Sequence, residues 1–173
     1  MTGSRLVLRR LSLADEADVT AAVAEMAAEG GHWTYRHRDD LPWPQYVSLV
    51  HGWEDGVDVP EDFVAHAELV ADVDGRVVGR ASIRWELDEF LRTLGGHVGY
   101  AVRPAFRRQG FATEILRQSV LALRARGVDR VLVTCDDDNL ASARVIEANG
   151  GVLEDVVPHT DPQLPPRRRY WIG

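Results

Sequence analysis

Residues 97–135 read HVGYAVRPAFRRQGFATEILRQSVLALRARGVDRVLVTC, and this stretch decides the fold. It opens with a strand from His97 to Val102. Ala112, Ile115, Leu116, Ser119, Val120 and Leu123 then recur at i, i+3, i+4, i+7, i+8 and i+11, one apolar face of a helix that Gly127 stops. The stretch closes on Arg130 to Cys135, an apolar run of strand length that suits a parallel strand covered on both faces. A strand, a helix and a strand in succession demand a right-handed parallel crossover. Ligands of such sheets sit at the carboxyl ends of the parallel strands.

Upstream, leucine and valine alternate with arginine in a strand from Arg5 to Arg9. Ser12 caps a helix with Asp15 in its first turn, and Val19, Val23 and Met26 recur at helical spacing until Gly30 and Gly31 stop it. The aromatic segment that follows holds one short helix, Gln45 to Trp53. Leu69 to Val73, Asp74-Gly75 and Val77 to Trp85 form a hairpin, because a two-residue turn with positive φ favours Asp-Gly. Downstream lie a helix from Leu140 to Ala148, stopped by Asn149-Gly150-Gly151, and two strands, Val152 to Val157 and Arg168 to Ile172. The order β α α β β β α β α β β describes one α/β (α+β) domain over residues 1–173, a mixed sheet with helices on its faces.

Its 173 residues are one domain's worth by the usual ~100–200 per domain. Against 27 acidic residues stand 20 basic ones, a net charge of −7, which argues against nucleic-acid or anionic-membrane partners and leans toward a cationic one. Every basic residue is arginine, so Schiff-base and lysine-base chemistries are excluded. The single cysteine, Cys135, excludes an internal disulfide and any multi-cysteine metal site, and fits a reducing compartment. No apolar stretch approaches the ~20 residues of a membrane helix and no export leader opens the chain, so the expected location is the cytoplasm.

The chemistry is expected in the turn before the central helix, Val102-Arg-Pro-Ala-Phe-Arg107-Arg108-Gln109-Gly110-Phe111-Ala112-Thr113. Main-chain N–H groups converge there, and the helix dipole adds about half a positive charge, which together suit a pyrophosphate. Gly110 and Ala112 keep side chains out of the way, Thr113 adds a hydroxyl, and Arg107 or Arg108 adds charge. The alternative is an ordinary loop-to-helix junction with solvated arginines. A Walker loop is disfavoured by the missing lysine, and a dinucleotide fingerprint by the missing glycines.

Arg107-x-x-Gly110-x-Ala112 after a strand resembles the acetyl-CoA signature of the GNAT superfamily of N-acetyltransferases. Asn139-x-x-Ser142, followed by Glu147-x-x-Gly150, resembles the second half of that signature. The order of elements is similar over nearly the whole chain. Ile83-Arg84, Leu87, Leu91, Gly95-Gly96-His97, Gly99-Tyr100 and the terminal Arg169-Tyr170-Trp171-Ile172 resemble a bacterial group of acetyltransferases without an assigned substrate. The resemblance implies a mostly antiparallel twisted sheet in which a central parallel pair, ending near Val102 and Cys135, splays apart. The pantetheine arm of acetyl-CoA, used as a co-substrate without a metal, then lies in the gap. The N–H near Val102 would stabilise the oxyanion, and Asn139 would hold the pantetheine or sulfur end, unless it is simply a helix N-cap.

Transfer to a primary amine in a ternary complex needs the neutral amine, yet a lysine-type amine has pKa about 10.4, so deprotonation at pH 7 costs roughly 4.6 kcal/mol. Glu86 and His97 are the preferred bases, with Asp88 behind them; each has a structural alternative, a solvated edge charge or a capped strand end. The family's usual acid, a tyrosine seven residues after the asparagine, is Ile146 here. Tyr170, Ser142 or water would replace it, or the reaction runs without an acid, since a thiol leaves readily. Cys135 is read as a small buried residue and not a nucleophile, Asp136 to Asp138 as a solvated turn and not a metal site, and Arg167 to Arg169 as protection of an edge strand. Trp33, Tyr35, Trp43 and Trp53 form either a cage for a cationic or aromatic amine or a satellite core. Expected partners are a small-molecule or peptide amine and, through an exposed terminal strand, a second copy in a homodimer. A catalytically silent acetyl-CoA sensor or scaffold is the alternative function.

Overall fold

In the computed structural model, which describes residues 6–33 and 41–173, the hydrophobic periods above fold as read, with shifted ends. The strands are β1 (Val7–Arg10), β2 (His66–Val73), β3 (Arg76–Arg84), β4 (Val98–Val102), β5 (Val131–Asp136), β6 (Val152–Val157) and β7 (Arg167–Ile172). The helices are α1 (Glu16–Ala28), α2 (Trp43–Glu54), α3 (Phe111–Ala125) and α4 (Leu140–Ala148). Arg5 and Tyr35 lie outside the described residues. At the entrance to α1, the N–H and hydroxyl of Ser12 donate to Asp15 Oδ2 at 2.7 and 2.9 Å. The hairpin turn is the one its residues demand: Asp74 (φ 52) and Gly75 (φ 82) join the facing pair Val73 and Arg76. β2 starts at His66, three residues before the expected Leu69, because His66 and Glu68 point inward despite their polarity.

Two antiparallel sheets result, β1-β2-β3-β4 and β5-β7-β6. The last strand is therefore no edge. It enters between β5 and β6, which corrects the expectation of an exposed terminal strand and removes its support for a homodimer. Arg167, Arg168 and Arg169 do not guard an edge either: they pair with Asp136, Asp137 and Asp155 at 2.6, 2.7 and 2.7 Å. Aspartates of β5 and β6, and Asp137 just after β5, neutralise the run.

α3 and α4 cover one face, burying Ile115, Leu116, Leu123 and Ile146 against Ala81, Ile83, Val131 and Val133. α1 and α2 cover another, where Trp43, Tyr46, Val50 and Trp53 pack on Val70 and Val77. Trp33 joins them at 2% exposure, so these tryptophans are core and not a cage. Behind β4, buried Arg103 ties the sheet to α1 through Glu25 at 2.7 Å and Asp18 at 3.1 Å. No described helix is long and apolar enough to cross a membrane.

Candidate functional site

The two sheets meet at one point. The N–H of His97 donates to Leu132 O at 2.8 Å, and the N–H of Leu132 donates to His97 Nδ1 at 2.9 Å. Beyond that apex no main-chain bond joins β4 to β5 among the described residues, and the parallel strands splay. Gly96 makes the approach possible. It sits at φ +68, and a Cβ there would stand 2.8 Å from Leu132 O.

Antiparallel pairing decides which groups face the gap, because alternate residues turn both N–H and C=O to the same neighbour. Arg103 N–H donates to Val78 O, so Ala101 and Gly99 also serve β3, and Tyr100 and Val102 turn their main-chain groups toward β5. On β5, Asp137 N–H donates to Pro166 O, so Cys135 and Val133 serve β7, and Thr134 and Asp136 face β4. The gap is thus lined on both sides by main chain.

At the open end lies the turn into α3. Arg107 is extended, Arg108 and Gly110 are left-handed (φ 64 and 84), and α3 begins at Phe111. The N–H groups of Arg108, Gln109, Gly110, Phe111, Ala112 and Thr113 donate to no described acceptor. A Cβ on Gly110 would meet nothing within 4 Å. Arg107 is committed to the fold, donating from Nε to Val102 O at 3.2 Å and pairing with Glu29 at 2.7 Å. Arg108 is exposed, and its guanidinium has no partner among the described residues. Asn149 Nδ2 braces the first turn by donating to Thr113 O at 3.2 Å.

Near the apex the gap opens into a cleft of about 460 Å³. Val98, Gly99, Tyr100, Thr134 and Cys135 line it from the strands, and Asn139 and Ser142 from the α4 end. Asp62, Phe63, His66, Asp88 and Phe90 form its outer walls. Asn139 Oδ1 accepts from Ser142 N–H at 3.0 Å, so it caps α4, while its Nδ2 stays available at the cleft. The phenol of Tyr100 shares a 2.8 Å hydrogen bond with Ser142 Oγ, and burial pushes it up to about 12. Burial likewise pushes the Cys135 thiol up, which keeps it protonated and unreactive.

A backbone-lined splay, a turn of unpaired amides and a cleft between them fit a thioester carried on a pantetheine arm with a diphosphate. The family model of the acetyltransferase (GNAT) domain matches residues 5–152. The chain belongs to that family. Among solved structures, the fold of this acetyltransferase is similar to yncA of Salmonella typhimurium, solved with acetyl-CoA (TM-score 0.65, 16% identity, 97% of this chain and 93% of that one). It is similar to Mycobacterium smegmatis RimJ in complex with CoA-disulfide (TM-score 0.72, 18% identity, 96% and 81%). RimL, a ribosomal L7/L12 alpha-N-protein acetyltransferase in complex with CoA, is a third (TM-score 0.68, 18% identity, 98% and 94%). A search of curated proteins found no relative.

The acetyltransferase does not gather the three groups first chosen for proton transfer. Glu86 and His97 line a second hollow, with Trp85, Arg92, Arg130 and Trp171, that shares no lining residue with the cleft. His97 was expected to follow the face of Gly99 and Ala101, but the unusual backbone of Gly96 re-aims it and Leu132 occupies its Nδ1. Burial, with Arg92 and Arg84 adding to it, holds this imidazole down at about 4. Tyr170 is 1% exposed and donates to Glu147 Oε1 at 3.2 Å beneath α4. Ile146 is fully buried between α4 and the sheet, so the position of the family's tyrosine serves packing. Sequence reading missed Tyr100 and His66. Strand parity would have found Tyr100, since it marks the residues of β4 that face the splay.

Proposed function

We propose that this acetyltransferase moves the acetyl group of acetyl-CoA onto a primary amine by direct attack in a ternary complex. The observation that carries the reading is the splay itself, with unpaired turn amides at one end and, at the other, a cleft walled by Asp62, Asp88 and Asp136 beside Arg84 and Arg167. The amides from Arg108 to Thr113 and the Arg108 guanidinium would hold the diphosphate. Bound there, acetyl-CoA supplies an activated acyl group. Val102 N–H would polarise its carbonyl, and Asn139 Nδ2 would hold the pantetheine end.

Tyr100 takes over at the sulfur. With its phenol near 12 and a thiol near about 8.5, full proton transfer to sulfur runs uphill, so Tyr100 would act by hydrogen bonding to the developing thiolate. The raised Cys135 thiol speaks against an acetyl-cysteine route. The carboxylates of Asp62 and Asp88 at the cleft favour a cationic acceptor. RimL's described α-amine acceptor makes peptide N-termini natural members of a test panel beside small amines. Free thiol released from acetyl-CoA over such a panel tests the reading: at least one amine should give turnover. Binding of CoA without release from any amine would leave a silent binding module instead.

A further inference from the structure

Behind the cleft, β2 and β3 carry a stripe of buried polar side chains on the face that packs on α2. His66 and Glu68 are two residues apart on β2 and share that face, and the register sets Ser82 opposite Glu68. His66 and Ser82 are 1% exposed and Glu68 is 8% exposed. His66 Nε2, Glu68 Oε1 and Ser82 Oγ are out of solvent and have no hydrogen-bond partner among the described residues. A polar atom left dry in this way is destabilising. An internal water bridging these three polar neighbours would remove that cost.

Geometry sets the tautomer of His66. Its Nδ1 lies 2.8 Å from Val64 O, and a carbonyl only accepts, so in the neutral ring Nδ1 holds the proton and Nε2 the lone pair. That lone pair stands 3.6 Å from Glu68 Oε1, too long for a direct hydrogen bond. Glu68 Oε2 lies 3.8 Å from Arg80 Nη1. The rings of Trp53 and Phe63, centred 5.3 and 5.6 Å away, hold the imidazole in place. Among the described residues His66 is also the only imidazole on the cleft wall.

We propose that His66, backed by Glu68 and a water at Ser82, is the exit by which the acceptor ammonium loses its proton. This rests on the amine acetylation proposed above. An ammonium N–H bond breaks and its electron pair stays on nitrogen. The proton passes through water to His66 Nε2, forming an imidazolium beside the Glu68 carboxylate. The freed pair then makes the C–N bond as the C–S bond breaks, and the second amine proton ends on the thiolate. His66 passes its own proton back to solvent along the same path. The charged groups facing His66 are Glu68 on its strand, Arg80 and Arg84 on β3, and Asp62, Asp88, Asp136 and Arg167 around the cleft. From α2 it meets the uncharged ring of Trp53.

The test is an imidazole nitrogen NMR titration of the whole protein together with pH–rate profiles for His66→Gln and Glu68→Gln. In the wild type, neutral His66 should carry its proton on Nδ1. In Glu68→Gln its titration midpoint should fall by about one pH unit or more, because a facing carboxylate has been neutralised. With a lysine-type acceptor, His66→Gln should lower kcat/KM at pH 7 by roughly 10²-fold or more and leave CoA affinity unchanged, and the loss should shrink as pH approaches the amine's own pKa. A neutral wild-type His66 protonated on Nε2, or an unmoved midpoint in folded Glu68→Gln, overturns the proposal. So does an unchanged pH profile in folded His66→Gln. Should no amine be acetylated, amine transfer fails while the titration still judges the His66–Glu68 couple; should either variant not fold, the wild-type tautomer decides.

Discussion

Replacing Gly96 by alanine strikes the point that makes a splay out of two sheets. Gly96 sits at φ 68 and ψ −178, a region essentially reserved for glycine, where another residue costs on the order of 1–3 kcal/mol. Its new Cβ would also stand 2.8 Å from Leu132 O and 3.3 Å from Leu132 C. Those are main-chain atoms inside β5, which cannot swing aside as a side-chain tip would. Relieving the clash means pulling β4 from β5, which stretches both apex bonds, His97 N–H to Leu132 O and Leu132 N–H to His97 Nδ1. Each is worth about 0.5–1.5 kcal/mol. Strain and the two bonds together give a loss of about 2–6 kcal/mol. Equilibrium urea unfolding at pH 7 measures this directly, with calorimetry of CoA binding on the fraction that stays folded. The variant should be destabilised in that range, and CoA should bind more weakly because the gap widens. A loss under about 1 kcal/mol with unchanged CoA affinity would refute the apex as the determinant of the splay.

Arg108→Ala should weaken CoA binding by about three- to tenfold in low salt and less in high salt, with stability within about 0.5 kcal/mol of wild type, since its guanidinium has no partner among the described residues; isothermal calorimetry at two salt concentrations checks this. Tyr100→Phe should lower kcat by about tenfold, the worth of one hydrogen bond to a charged sulfur, and leave KM for acetyl-CoA nearly unchanged. His97 makes stability depend on pH in a defined direction: its folded value is near 4 and its unfolded value about 6.5, so between these the unfolded chain binds the extra proton and stability falls as pH is lowered. The fall should total about 3 kcal/mol, and His97→Gln should flatten that part of a stability–pH curve measured by urea unfolding.

What could be read from the residues alone follows from what each signal depends on. The apolar face of α3, the Asp74-Gly75 turn and the Asn139 cap are local: a helix period, a positive φ and a reach of three residues suffice to specify them. The turn into α3 was legible for the same reason, as its unpaired amides come from consecutive residues. Tyr100 and Ser142 are 42 residues apart, and no local pattern announces a hydrogen bond across a gap that exists only because two sheets diverge.

Polarity misled most where it was buried. Binary reading takes histidine and glutamate as outward residues, and so it began β2 at Leu69 and passed over His66 and Glu68. It favoured Glu86 as a base for its place at the end of the hairpin's second strand near the splay, but Glu86 is exposed and faces another hollow. A proton acceptor for an amine needs the opposite circumstances: a lone pair shielded from bulk water, a carboxylate close enough to stabilise the cation, and a path to the cleft. Only burial creates those circumstances, and burial of a polar side chain is decided by the strand register and the helix packed above it, neither of which the side chain itself encodes. The proton exit proposed for this sheet is therefore built from residues whose inward orientation breaks the rule that makes the sheet readable.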